Sequence, residues 1–212
     1  MKVVPIFPEY IFEFDFSDHV KYKDEVIKKI KSFELLDESI VVRERYAKRS
    51  TGILTTHPRL HQEELFVPIR DFMHDCINKS MGYLGFKEQS QITSMWSNLQ
   101  RQGSANPVHS HYNTYMTAIY YLYSSEGMAE GTNFFNASYT KQSIISPPFD
   151  YMKEQKIKES HHASFKEGKI IVFNGYLRHS TNKCLDKERI IIGMNTMPKG
   201  ETNRDPWDKF TY

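Results

Sequence analysis

The sequence predicts an α+β chain in which two amphipathic helices precede a β-sandwich or barrel made by the C-terminal two thirds. Apolar residues recur at helical spacing twice before residue 80, and from Gln91 onward the period shortens to two. Glycine or proline punctuates most of the later junctions, at Gly103, Pro107, Gly131, Gly168 and Gly175. Fourteen Phe and thirteen Tyr add aromatic bulk that suits strands and an enclosed cavity.

Residues 3–16 alternate aromatic and acidic side chains around two prolines and predict an extended edge segment. Ser17 is placed to cap a first helix, because Val20, Val26, Ile27, Ile30 and Phe33 share helical spacing. Lys21, Lys23, Lys28, Lys29 and Lys31 fall on its other faces and read as a solvated surface. Residues 40–56 are polar and basic, a loop with one short strand. A second helix runs from Gln62 or Pro68 to Ser80, with Leu65, Phe66, Ile69, Phe72, Met73, Cys76 and Ile77 on its apolar side. Pro68 opens it at the first turn or kinks it, and Gly82 and Gly85 close it. Strands follow at 92–100, 117–123 and 132–136, then a long polar loop at 144–162, then strands at 169–173 and 187–195 and a polar tail.

The net charge of +2 arises from 28 basic and 26 acidic residues mixed along the chain, which argues against nucleic acid or an anionic membrane as partner. No stretch approaches the ~18 apolar residues of a membrane helix. Cys76 and Cys184 lie far apart and in no metal-ligand spacing, so they read as free thiols of a reducing, cytoplasmic protein. A homodimer is compatible with the sequence, and so is a monomer.

Chemistry concentrates in two places. The run from Lys166 to Asn182 reads as a turn, a buried strand and a corner at Gly175 that presents His179; ten positions later Arg189 lies on the next strand. Upstream, Pro107-Val-His-Ser-His-Tyr-Asn113 precedes the strand at 117–123. In an extended segment His109, His111 and Asn113 project to one side, so two imidazoles converge on one ion and His179 completes a set of three with open positions. Such a set suits non-haem Fe(II), with zinc the competing ion. His161 and His162 are the main rival pair, set aside because the long loop gives them no strand to hold them.

The succession of His109-x-His111, Thr117-x-Ile119-Tyr120-Tyr121-Leu122, Gly131-Thr132-x-Phe134, Gly168 before an apolar strand, His179 and Arg189 resembles the 2-oxoglutarate/Fe(II)-dependent oxygenases. Trp96-x-Asn98, Gly103 and the His-x-His pair resemble more closely a group of phage and bacterial members of that superfamily, over roughly residues 50–195. The resemblance implies a double-stranded β-helix, or jelly roll, over residues 91–197, with the helix-containing residues 1–90 packed outside it and a tail at 198–212, all one oxygenase domain. It implies Fe(II) and 2-oxoglutarate as cofactors, His109 and His179 as metal ligands, and Arg189 and Tyr121 on the far carboxylate of 2-oxoglutarate. Thr117 and Asn98 are further candidates for cofactor binding. The implied activity is hydroxylation of a peptide or small molecule with succinate and CO2 as co-products. Two rivals stand beside it: a cupin-like metalloprotein that does not use 2-oxoglutarate, with Arg189 a structural ion-pair residue, and an inactive jelly-roll binding module.

The superfamily usually carries His-x-Asp or His-x-Glu, where this chain has His111. Three arrangements follow: a three-histidine site, a site with Asn113 or water in the carboxylate's place, or a binding protein that has lost catalysis. Imidazole is the stronger donor, which favours three histidines.

Overall fold

Alternating apolar residues become two facing antiparallel sheets in the computed structural model, which describes residues 9–35, 53–87, 89–136, 160–202 and 210–211. In chain order the elements are β1 (Ile11–Asp15), α1 (His19–Ser32), β2 (Ile53–Thr55), α2 (Val67–Tyr83), β3 (Ser90–Arg101), β4 (Met116–Ser124) and β5 (Thr132–Phe135). After them come β6 (Ser160–Ala163), β7 (Lys169–Asn174), β8 (His179–Thr181), β9 (Glu188–Pro198), β10 (Glu201–Thr202) and β11 (Phe210–Thr211). The large sheet has the order β1-β7-β4-β9-β3-β2, the small one β6-β5-β8, and β10 pairs with β11. This is the jelly roll expected.

Strand parity divides the large sheet into two faces with different tasks. Met95 and Leu99 of β3, Ala118, Tyr120 and Leu122 of β4, Ile170 and Val172 of β7, and Ile190, Ile192 and Met194 of β9 share one core with the helices. There α1 contributes Val26 and Ile30, four apart, and α2 contributes Ile69, Met73, Cys76, Ile77 and Met81, a stripe at helical spacing. Each such aliphatic side chain, fully withdrawn from water, contributes roughly 1.5–3 kcal/mol. The other face turns Ile119, Tyr121, Ile171, Phe173 and Ile191 toward Phe134 and Ala163 of the small sheet. The helices brace one side of the sheet, and the space between the sheets is left for a site.

Several local expectations change. Asp18, not Ser17, occupies the N-cap of α1, and its side chain makes no capping bond. Pro68 sits in the first turn of α2 and opens it, where its missing N–H costs nothing. The lysines of α1 are less solvated than expected: Lys23 pairs with Glu167, Lys29 with Glu63 and Lys31 with Glu188, tying the helix to three other segments. His161 and His162 lie in a strand after all, since β6 pairs with β5. The rest of the long loop, and most of the basic loop at 40–56, lie outside the described residues. Cys76 and Cys184 are buried free thiols, as expected.

Candidate metal centre

His109 and His179 are fastened to one another through the main chain. The His109 N–H donates to the His179 carbonyl and the His179 N–H to the His109 carbonyl, each at 2.9 Å. The His111 N–H donates to the Gly175 carbonyl at 2.8 Å, so the His-x-His segment lies against the corner that leads into β8. Gly175 is required there, because a Cβ would stand 2.7 Å from the Thr114 carbonyl oxygen. Ring centroids are 4.3 Å apart for His109 and His179, 5.0 Å for His111 and His179, and 5.3 Å for His109 and His111. One ligand nitrogen from each of the three lies within 4.8 Å of the other two.

Every Nδ1 of the set has an acceptor. That of His109 donates to the Pro107 carbonyl at 2.7 Å and that of His179 to the Leu177 carbonyl at 2.9 Å. That of His111 meets the Asn195 side-chain oxygen at 2.8 Å, and the Thr117 hydroxyl, 3.1 Å from the same nitrogen, donates to that oxygen at 3.0 Å. A proton held on Nδ1 leaves the Nε2 lone pair for a metal. The donor set therefore fits a borderline divalent ion such as Fe(II), with open coordination positions.

Burial makes the His111 and His179 imidazoles poor bases. It pulls His111 down to about 4 and His179 to about 3, with the neighbouring His109 acting in the same direction. Histidine in the unfolded chain titrates near 6.5. Between these values the unfolded chain binds more protons than the folded one, so stability falls as pH drops from 6.5 toward 4. The metal-free protein is expected to have a lower urea midpoint at pH 5 than at pH 7.5, with the difference reduced in His179→Gln; an equal midpoint at both pH values contradicts this.

The three histidines open onto a cleft that lies between the two sheets. Arg189 lines the same cleft and is 1% exposed. Its Nε donates to the Gln100 side-chain oxygen at 2.7 Å, one terminal nitrogen to the Glu130 carbonyl at 2.7 Å, and the other to the Asn182 carbonyl at 3.4 Å. All three acceptors are neutral. Asp186 and Glu130 are near enough to act on its charge, but Asp186 accepts from the Ser124 hydroxyl and the Met128 N–H, and the Glu130 carboxylate takes the Asn182 amide. Among the described residues no carboxylate forms an ion pair with Arg189, which is at odds with its being a structural ion-pair residue. A buried guanidinium without a counter-ion is a receptor for a carboxylate.

The remaining candidates divide. Tyr121 lines the cleft, 1% exposed and stacked on Phe165 at 4.8 Å. Burial raises its phenol, which stays a neutral donor and reaches Thr132 at 2.9 Å. Asn98 also lines the cleft, its oxygen accepting from the Thr55 hydroxyl at 2.8 Å. Thr117 does not line it and stands behind His111 instead. Asn113 leaves the group: the extended run ends at His111, a turn follows, and Asn113 is exposed at φ 53° in the left-handed region that asparagine tolerates. Trp96 forms a wall 5.7 Å from His111, in room that only Gly193 leaves, since a Cβ there would stand 2.6 Å from the indole. His162 is exposed and bonds the Asn133 side chain.

Residues 94–195, which span β3 to β9, match the family described as "Putative 2OG-Fe(II) oxygenase". The match covers the segments that carry the three histidines and Arg189, and it likens the core of the chain to the 2-oxoglutarate/Fe(II) oxygenases. Solved structures of similar fold include the α-ketoglutarate-dependent epimerase SnoN from nogalamycin biosynthesis, with TM-score 0.63, 12% identity and coverage of 96% of this chain and 88% of the other. A prolyl-4-hydroxylase from Pseudomonas putida aligns with TM-score 0.57 and 15% identity, covering 89% of this chain and 94% of the other. HygX from Streptomyces hygroscopicus, with nickel and 2-oxoglutarate bound, gives 0.58 and 10%, covering 90% and 83%. At these identities the likeness establishes the oxygenase fold alone. No curated protein matches the chain by sequence. Among the described residues no helix is long and apolar enough to cross a membrane.

Proposed function

We propose that this Fe(II)/2-oxoglutarate oxygenase holds its metal through the Nε2 atoms of His109, His111 and His179 and its co-substrate through Arg189, acting as one domain on a small molecule or peptide. The observation that carries the reading is the meeting, in one cleft, of three imidazoles anchored at Nδ1 with a buried arginine that has no anionic partner among the described residues. When bound, Fe(II) and 2-oxoglutarate supply the oxidising chemistry that functionalises a C–H bond, with decarboxylation of the co-substrate.

The chain's own part is binding and orientation. The three histidines would hold the ion by three donors from the chain, few enough that co-substrate and O2 could bind it as well. Arg189 fixes the far carboxylate by charge-assisted hydrogen bonds, and Tyr121, paired on the neighbouring strand with Ile191 two residues beyond Arg189, offers a neutral phenol in the same cleft. Ile119, Ile191 and Phe165 keep this part of the cleft apolar and dry, which strengthens each polar contact within it. Trp96, Asn98 and Thr181 remain as wall for the substrate.

The reading is tested by incubating the protein anaerobically with Fe(II) and 2-oxoglutarate, admitting O2 and measuring succinate without added substrate. Slow succinate release that needs both Fe(II) and O2 is expected. Absence of metal-dependent 2-oxoglutarate binding by calorimetry overturns it.

A further inference from the structure

The third histidine is held differently from the other two. His109 and His179 each give the Nδ1 proton to the main-chain carbonyl two residues back, Pro107 and Leu177. The corresponding carbonyl for His111 is that of His109, and it already accepts the His179 N–H. His111 therefore depends on side chains: the Asn195 amide oxygen at 2.8 Å, itself fixed by the Thr117 hydroxyl at 3.0 Å. Thr117 and Asn195 are directly opposed across β4 and β9, and Thr117 is fully buried, so sheet register sets the pair.

We infer that Asn195, oriented by Thr117, is the positioning residue that fixes the His111 tautomer and so makes a third imidazole the ligand where a carboxylate is usual; this rests on the three-histidine reading above. An acceptor at this point keeps the proton on Nδ1 and the lone pair on Nε2 directed at the centre. A donor at the same point would reverse the tautomer and put an N–H where the metal should be. Because the partner is a side-chain amide, this is the one ligand of the three whose tautomer a single substitution can change.

The test reads the tautomer and the metal separately. In the metal-free protein, long-range 1H–15N correlation NMR at pH 7.5 should show His111 protonated at Nδ1. Asn195→Leu, which removes the acceptor at similar volume, should mix the tautomers and weaken Co(II) binding by about 10–100-fold, the usual cost of losing such a partner. Asn195→Asp, which accepts and cannot donate, should keep the Nδ1–H form and bind Co(II) at least as tightly as the wild type, with the visible d–d bands retained. Thr117→Val should fall between wild type and Asn195→Leu. The inference is overturned if wild-type His111 is protonated at Nε2, or if Asn195→Asp weakens Co(II) as much as Asn195→Leu does. Failure of the three-histidine reading looks different: His111→Ala then binds Co(II) as the wild type does.

Discussion

Replacing His179 by alanine should abolish metal binding while the fold persists. Its imidazole is 3% exposed and shares the narrowest ring contact of the set, 4.3 Å to His109. The bonds that join β8 to the His109 segment use main-chain atoms, and these survive the substitution. Loss of a hydrogen-bonding partner alone typically weakens metal affinity ~10–100-fold, so loss of a ligand should exceed about 100-fold. Equilibrium dialysis with Co(II) measures this, and near-ultraviolet circular dichroism reports the fold. Phe134 and Phe173 pack on the ring, so His179→Gln, which fills more of the space, serves as the second variant if alanine opens too large a cavity. His162→Ala, on exposed β6, should leave metal content unchanged. Wild-type affinity in both His179 variants rejects the ligand set.

What the sequence disclosed, it disclosed through parity. Period two, applied to the sequence alone, puts Thr117, Ile119 and Tyr121 on one face of β4 and Arg189, Ile191, Gly193 and Asn195 on one face of β9. The structure has both sets on the side away from the helices. Parity requires extended backbone, and it failed where the backbone turned: Asn113 was expected beside the histidines, and its left-handed conformation takes it elsewhere. Long-range partners were also illegible. Nothing local to His111 marks Asn195, 84 positions away, and nothing local to Arg189 marks Gln100, 89 positions away. One signal was available: Asn195 shares the Arg189 face of β9, and a polar residue on a strand face otherwise given to the site is a candidate support. The β6 strand escaped because Ser160-His-His-Ala163 is short and polar, and its pairing with β5 depends on tertiary context.

Substituting Arg189 should separate co-substrate binding from folding, because the two are expected to respond in opposite directions. A cation with 1% exposure and three neutral acceptors carries a desolvation cost that the protein alone does not offset. Arg189→Met keeps much of the volume and removes that cost, so the metal-free variant should unfold at an equal or higher urea concentration than the wild type. The carboxylate that would offset the charge then finds no partner. Loss of one member of a buried, hydrogen-bonded charge pair costs about 2–5 kcal/mol, roughly 30-fold to several thousand-fold in Kd. Calorimetric titration of 2-oxoglutarate into Co(II)-loaded protein reads this directly. Gln100→Glu sharpens the comparison without touching the guanidinium: it places a carboxylate against Nε, supplying an internal counter-ion, and removes a Gln100 side-chain nitrogen that is buried without a hydrogen-bond partner. That variant should gain stability, keep its Co(II) affinity and bind 2-oxoglutarate more weakly. Should Arg189→Met instead unfold far more easily with its 2-oxoglutarate Kd unchanged, the arginine is a structural residue and the co-substrate is held elsewhere. The neutrality of its hydrogen-bond acceptors among the described residues is what makes the first outcome the expected one: none of them is a carboxylate, and the guanidinium lines the cleft where one could bind.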